Sequence, residues 1–517
     1  MDMSVFDAVV VGSGFGGAIA AARLAAAGRR VVVLERGRHY RPGDFPRDVT
    51  RVEDLFWDQP GRGKKRGLYD VRAFAGIGAV AAAGVGGGSL VYANIHIRPD
   101  PSVFDDSRWP APFTRAFLDP YYDRVAARLG VAPLPENIRV AKRDRYREAA
   151  NALGRPIFDP DQAVKWTGPQ DGDRGPCELV AECEFGCRHG AKNTLDVTYL
   201  ADAQRDGAEI RPNTWATHVA PQPGGGYEVH LLDAVSGARS SISGKHVVLA
   251  AGTLGTNEIL FRSRDGAKTL PNLSRQLGRG YSGNGDFLGS IQNSRFDLEP
   301  WRGPDVTSVM KFFDTKPGFT MAAPTFNQPV MRVLASLGQP EGAAMRLLAP
   351  AWRTLPDAMS TAFRTGLLSQ PLAIRGPHAG DASRMTNLFA IGQDNANGVL
   401  QFGGDRLDIE WAYADENQPL ITRMEQAMRD VAGVYGGTFA PLASWSSFRR
   451  ILTVHSLGGC HLASDPSKGV VSTEGEVFAY PGLFIADGSI VPTSIGFHPC
   501  MTIAAIAERI AEGIAAR

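Results

Sequence analysis

The residues with the clearest chemical capacity lie at the two ends of the chain. Near the start, Gly12-Ser13-Gly14-Phe15-Gly16-Gly17 precedes an acid at Glu35. Glycines at this spacing leave backbone N–H groups uncovered at a helix start, where phosphate oxygens bind. Gly12 permits a tight turn, Gly14 lets the backbone approach a pyrophosphate, and Gly17 lets a helix pack on a sheet. Glu35 is placed to accept hydrogen bonds from ribose hydroxyls. Near the end, His455 lies in Val454-His455-Ser456-Leu457-Gly458-Gly459-Cys460, and His498 in Gly496-Phe497-His498-Pro499-Cys500. An imidazole exchanges its proton near neutral pH, so both suit acid–base work.

These groups need elements to hold them. Phe6–Val11 is a β-branched run of the kind that forms a buried strand. An Ala-rich stretch, Ala18–Ala27, predicts a helix closed by Gly28, and Val31–Leu34 predicts a second strand running into Glu35. Strand, Gly-rich turn, helix, strand and acid together form the dinucleotide fingerprint in its required context, which does not separate NAD from FAD. Leu483–Ala486 predicts a strand delivering Asp487 and Gly488 to the same crevice. Ile503, Ile506, Ala507, Ile510 and Ile514 fall on one helical face. Pro499 suits the start of that helix, which sets His498 at its N-terminus, where the dipole favours neutral imidazole.

Composition narrows the class. The chain has 517 residues, 44% of them hydrophobic and 21% charged, and 55 Lys+Arg nearly cancel 54 Asp+Glu. That balance argues against a nucleic-acid protein. Five cysteines in such a length argue against a disulfide scaffold and for a reducing cytoplasm. No secretory leader and no run of about 18 apolar residues is visible, so neither a signal peptide nor a transmembrane helix is expected.

Two internal segments complete a pattern. They are Gly84-Val85-Gly86-Gly87-Gly88-Ser89-Leu90-Val91-Tyr92-Ala93-Asn94 and His246-Val247-Val248-Leu249-Ala250-Ala251-Gly252-Thr253. With the two ends, they resemble the glucose–methanol–choline (GMC) family of FAD-dependent oxidoreductases across the chain. The run Cys187–Leu195 and the pair Gly458-Gly459 are most similar to the bacterial cholesterol-oxidase-like branch. One departure is His498-Pro499, where that branch has Asn-Pro and the sugar and alcohol oxidases have His.

The resemblance implies FAD as cofactor and oxidation of an alcohol by hydride transfer to flavin N5. It implies His455 and His498 as the catalytic pair, one as base and the other as hydrogen-bonding partner. Gly12, Gly14, Phe15, Gly16, Gly17 and Glu35 fall on the ADP half, and Gly88, Ser89, Asn94 and Ile95 along the flavin loop. Val219 falls near adenine, Asp487 and Gly488 near the pyrophosphate and ribityl chain, and His498 and Cys500 beside the flavin ring. The implied substrate is a hydrophobic or sterol-like alcohol, with oxygen or another acceptor taking the electrons. The alternatives within the family are a sugar or alcohol dehydrogenase with a quinone- or cytochrome-type acceptor, and a lyase or photodecarboxylase without net flavin turnover.

The expected fold is α/β. A discontinuous Rossmann-like FAD domain spans 1–110, 191–290 and 452–517. A substrate domain with a large mixed or antiparallel sheet and helices spans 111–190 and 291–451. Thr386–Ile391 and Leu407–Trp411 alternate as strands do. Cys177, Cys183 and Cys187 match no standard zinc or iron–sulfur spacing, so no metal is expected. The stretch Val330–Leu372 is rich in Leu, Met and Phe and carries Arg346, Arg353 and Arg364. It reads as buried helices of the substrate domain or as an apolar cap touching a membrane surface.

Overall fold

The computed structural model describes residues 5–46, 52–58, 66–327, 331 and 382–517. Apart from Met331, the apolar stretch between Val330 and Leu372 lies outside the described residues.

The N-terminal apolar run becomes the strand Val5–Val11, an inner strand of a seven-stranded sheet. Val31–Leu34 pairs with it in parallel on one side and Arg239–Leu249 on the other. Glu209–Arg211 extends the sheet in parallel beyond Val31–Leu34. The long strand Arg239–Leu249 serves two partners on its far side. Its first half pairs antiparallel with Tyr227–Asp233, and its last residues pair in parallel with Leu483–Ile485. Tyr227–Asp233 then turns back onto Thr214–Pro221. The parallel strands Val5–Val11, Val31–Leu34 and Leu483–Ile485 therefore deliver Gly12, Glu35 and Asp487 to one edge, as the sequence predicts.

The helix Phe15–Ala26 follows the glycine-rich turn and buries an alanine face. It packs against the last helix, Cys500–Ala515. Glu508 lies on the buried side of that last helix, fully shielded from solvent. Arg23 Nε and Nη2 reach it at 2.7 and 2.8 Å, and Tyr199 Oη donates to it at 2.8 Å. Paired in this way, the carboxylate ties the two ends of the chain together instead of standing as an unpaired buried charge.

A second sheet has six strands, all antiparallel, in the order Thr438–Pro441, Phe287–Gln292, Thr386–Gly392, Phe319–Ala322, Val309–Phe312 and Ile157–Phe158. The helix Gln418–Tyr435 covers it with Leu420, Ile421, Met424, Met428 and Val431, a helical stripe. A small sheet sits between the two larger ones. In it, Ile451–Thr453 runs parallel to Ile77–Ala82, which pairs antiparallel with Tyr69–Ala73.

The chain crosses between these layers at places the sequence does not mark. The helix Arg115–Leu129, expected with the second unit, packs on the last helix, where Tyr122 Oη lies 3.0 Å from Thr502 Oγ1. The strand Phe287–Gln292 of the six-stranded sheet runs across the expected boundary at 290. Among the described residues no helix is long and apolar enough to cross a membrane.

Candidate active site

The glycines of the first turn divide into two kinds. A Cβ on Gly12 would lie 2.2 Å from Ala250 O, on Gly16 1.6 Å from Ala486 O, and on Gly17 1.9 Å from Gly12 O. Those three are glycine because protein fills the space. A Cβ on Gly14 or Gly88 would meet nothing within 4 Å. These two present bare backbone to a cavity of about 240 Å³. Its walls include Gly12, Gly14, Phe15, Gly16, Glu35, Gly88, Asp487 and Gly488. Gly17 stands behind it, where the helix meets the sheet.

Two buried carboxylates brace this cavity. Glu35 Oε2 accepts from Ser13 N at 3.2 Å and Ser13 Oγ at 2.6 Å, and Oε1 accepts from Gly37 N at 2.8 Å. Burial raises the Glu35 carboxyl, and the Ser13 and Gly37 donors offset part of that rise. Asp487 accepts from Ser489 N at 2.9 Å, Ser489 Oγ at 2.6 Å and Thr256 Oγ1 at 2.5 Å, and burial raises it too.

The two histidines meet beside the same cavity, which Val454 and Ser456, the neighbours of His455, also line. Their ring centroids are 5.3 Å apart and the planes are inclined at 77°. Ile451–Thr453 delivers His455, and the last helix starts two residues after His498. Phe389, from the six-stranded sheet, lies nearly parallel to the His455 ring with centroids 5.6 Å apart. The pair therefore sits where the small sheet meets the six-stranded one. His455 Nδ1 lies 2.8 Å from Asp286 Oδ1. His498 is 7% exposed and its Nδ1 has no hydrogen-bond partner. Burial, then the neighbouring His455 and His96, hold the His498 imidazole well below its ordinary value, so it is neutral. Asn94 is fully buried with both side-chain amide atoms unpartnered, and Ile95 O accepts from Cys500 Sγ at 3.0 Å.

The sequence model of the GMC oxidoreductase family matches residues 8–279, and its C-terminal counterpart matches 410–507. This chain belongs to the GMC oxidoreductase family. It is an FAD-dependent enzyme that oxidises CH–OH donors. This GMC oxidoreductase is 31% identical to a cholesterol oxidase of Mycobacterium tuberculosis, over 98% of this chain and 90% of the relative. It is 28% identical to a cholesterol oxidase of Acinetobacter baumannii, over 99% and 95% of the two chains. A long-chain-alcohol oxidase of Arabidopsis thaliana is 26% identical over 98% of this chain and 67% of its own. Among solved structures, pyridoxine 4-oxidase from Mesorbium loti superposes with a TM-score of 0.63 at 17% identity, covering 98% and 99% of the chains. That likeness is one of fold.

The residues of this GMC oxidoreductase fit FAD. Bare backbone at Gly14 and Gly88 flanks the cavity, and the unpartnered amide of Asn94 follows on the flavin loop. Two of the expected contact residues have polar groups engaged within the protein. The Ser89 hydroxyl donates to Gly86 O at 2.7 Å and accepts from Leu195 N at 3.0 Å. Val219 is fully buried, with its N–H given to Ser263 Oγ and its carbonyl to Thr269 Oγ1. Thr214, Trp215 and Ala216 of the same strand line the cavity instead.

Several residues near the site carry no local sequence signal. Asp70 joins Arg36 at 2.7 Å and Arg72 at 2.9 Å on the cavity wall, and Arg72 reaches on to Glu258 at 3.1 Å. His96 is 3% exposed, with Nε2 3.1 Å from Tyr92 Oη. Burial pushes its imidazole down to about 3. Cys177, Cys183 and Cys187 are free thiols, and among the described residues no group of three or more His, Cys, Asp or Glu side chains is placed to hold a metal ion.

Proposed function

We propose that this enzyme oxidises a hydrophobic, sterol-like or long-chain alcohol with oxygen as acceptor, and that His455 and His498 handle the hydroxyl proton. The observation that carries the reading is the pair of imidazoles 5.3 Å apart where the small sheet meets the six-stranded one. The similarity to cholesterol and long-chain-alcohol oxidases supports the substrate class and the acceptor. The five free cysteines support a reducing, cytoplasmic setting. The division into a cofactor unit built on the seven-stranded sheet and a substrate unit built on the six-stranded sheet belongs to the same reading.

FAD, when bound, accepts the hydride that leaves the carbinol carbon. The glycine-rich turn and Gly88 hold the cofactor through bare backbone, and Glu35 and Asp487 keep the turn and the strand end rigid around it. Asp286 only accepts at its carboxylate, so His455 Nδ1 carries a proton and Nε2 bears the free lone pair. His455 Nε2 takes the hydroxyl proton as the carbon is oxidised. Neutral His498 donates from one ring nitrogen to the same oxygen and fixes the alcohol's orientation. Phe389 covers the face of His455 and keeps water from it.

Steady-state oxidation of cholesterol, 1-dodecanol and glucose, followed by hydrogen peroxide release, tests the substrate class. The sterol or the long-chain alcohol is expected to give a kcat/KM at least about 10²-fold above glucose, because burying several CH₂ groups is worth ~0.8 kcal/mol each. A preference for glucose contradicts the reading.

A further inference from the structure

One short loop holds both histidines. The segment Ser282–Asp286 lies between the edge strand Arg279–Tyr281 and the strand Phe287–Gln292. Its side chains reach in two directions. Asp286 is fully buried, and both of its oxygens are used. Oδ1 faces His455 Nδ1 at 2.8 Å, and Oδ2 accepts from Thr453 Oγ1 and Val454 N, both at 2.9 Å. The carboxylate therefore grips the histidine and the chain that delivers it. Asn284, also fully buried, grips the other histidine's approach. Its Oδ1 accepts from Ile495 N at 2.9 Å and Gly496 N at 3.1 Å, and its Nδ2 donates to Phe497 O at 2.8 Å.

The loop is itself held from behind. Asp394 accepts from Ser282 Oγ at 2.7 Å and from Gly283 N and Gly285 N at 3.0 Å each. Asn284 sits at φ +53°, a conformation asparagine tolerates better than most residues, and Gly285 at φ +62°. A Cβ on Gly285 would lie 2.3 Å from Gly392 O, so the loop is seated directly on the six-stranded sheet.

From this geometry we infer that Asp286 is the positioning residue of the proton acceptor, and that with Asn284 it forms a two-pronged bracket setting the spacing of His455 and His498. This rests on the proposed role of His455 as base. The carboxylate fixes the Nδ1–H tautomer, aims Nε2 at the hydroxyl, and stabilises the imidazolium formed when the proton arrives. The other titratable groups around the two rings and their loop are His96, which acts on His498, and Asp394, Tyr281 (through Ser456) and Tyr413. Among the described residues, the carboxylate hydrogen-bonded to the ring of His455 is that of Asp286.

The test uses the FAD-loaded full chain and compares wild type with Asp286→Asn. Asparagine keeps the size and the acceptor oxygen but removes the charge. In histidine-labelled protein, the Nδ1–H proton of His455 should resonate far downfield and move upfield in the variant. Anaerobic flavin reduction by cholesterol or 1-dodecanol should slow ~10²-fold. Its acid limb should move to lower pH, because loss of the negative charge disfavours protonation. The alcohol's Kd should stay within about twofold, since the residue is argued to act on a charge that grows in the transition state. An unshifted Nδ1–H signal, or an unchanged rate and acid limb, overturns the inference. If Asp286→Asn does not fold, Thr453→Val leaves the carboxylate in place and removes one of its anchors, together with the hydroxyl's contacts to Gly283 O and His455 N. It should move the Nδ1–H signal part of the way, and no movement overturns the inference. If neither alcohol reduces the flavin, the function reading fails while the Nδ1–H signal still decides the positioning role.

Discussion

At the scale of single residues, the two histidines are chemically unequal. His455 has a carboxylate on Nδ1, whereas His498 has no partner there and is held neutral by burial and by its histidine neighbours. The enzyme therefore has one group equipped to take a positive charge and one equipped to stay neutral. Replacing them should give unequal losses. His455→Ala is expected to slow anaerobic flavin reduction by about 10²–10⁴-fold, the usual worth of a positioned base. His498→Asn keeps a hydrogen-bonding amide and should cost about tenfold, roughly one hydrogen bond. Rapid-mixing measurement of the reduction rate checks both, and a larger loss at His498→Asn contradicts the assignment. Both histidines were legible in the sequence. The inequality between them was not, because it depends on Asp286, which lies 169 positions away in a loop with no periodic pattern.

At the scale of elements, the glycine-rich turn separates what the fold needs from what the cofactor needs. Gly16 is blocked by the carbonyl of Ala486, while Gly14 has open space beside it. Gly16→Ala should therefore lower the melting temperature with or without FAD, since overpacking against backbone costs about 1–3 kcal/mol or more. Gly14→Ala should leave the apoprotein's melting temperature nearly unchanged and weaken FAD binding about tenfold or more, as one lost close contact of ~1.4 kcal/mol implies. Thermal unfolding of the apoprotein together with FAD titration separates the two effects. Equal behaviour of the two variants contradicts the division. The elements that build this turn were legible because propensity and tertiary role agree there: Val31–Leu34 is a strand over the expected residues, and the helix closes near Gly28. The flavin loop was legible by its glycines, but the destination of the Ser89 hydroxyl depends on Leu195, a contact made only in the folded chain. The strand that holds Val219 lines the cavity through Thr214, Trp215 and Ala216. Strand alternation gives which residues share a face, not which end of the strand meets the cavity.

At the scale of the whole molecule, buried ionisable groups near the cofactor site link stability to pH. Burial alone would raise the Asp70 carboxyl, but the Arg72 and Arg36 guanidiniums beside it more than offset this and hold it below the usual carboxylate range. A depressed carboxylate adds stability above its unfolded value, near 4, and loses it as the pH falls further. The His96 imidazole is pushed down to about 3, so between there and about 6.5 the unfolded chain binds a proton that the native chain refuses. Both effects have the same sign. As the pH drops from about 6.5 to 4, His96 should cost stability at about 1.4 kcal/mol per pH unit, and Asp70 adds its own loss only below about 4, while the raised carboxyls of Glu35, Asp487 and Asp394 act in the opposite sense. His96→Gln should remove the His96 share of that dependence, so the stability difference between variant and wild type should change steadily between about pH 6.5 and 4, and a difference that does not change with pH contradicts the argument. The fold class was readable from strand–helix order at the two ends, but the interleaving of layers was not. The helix Arg115–Leu129 is placed by a partner 380 positions away, and the strand Phe287–Gln292 by the distant strand Thr386–Gly392. The account's central claim is that an alcohol, set between His455 and His498, delivers a hydride to bound FAD. The most direct measurement is an anaerobic titration of the purified yellow protein with cholesterol and 1-dodecanol, followed by readmission of air. The account predicts that one of these alcohols bleaches the flavin stoichiometrically and that the colour returns quickly with air. A flavin that stays yellow with both alcohols contradicts it.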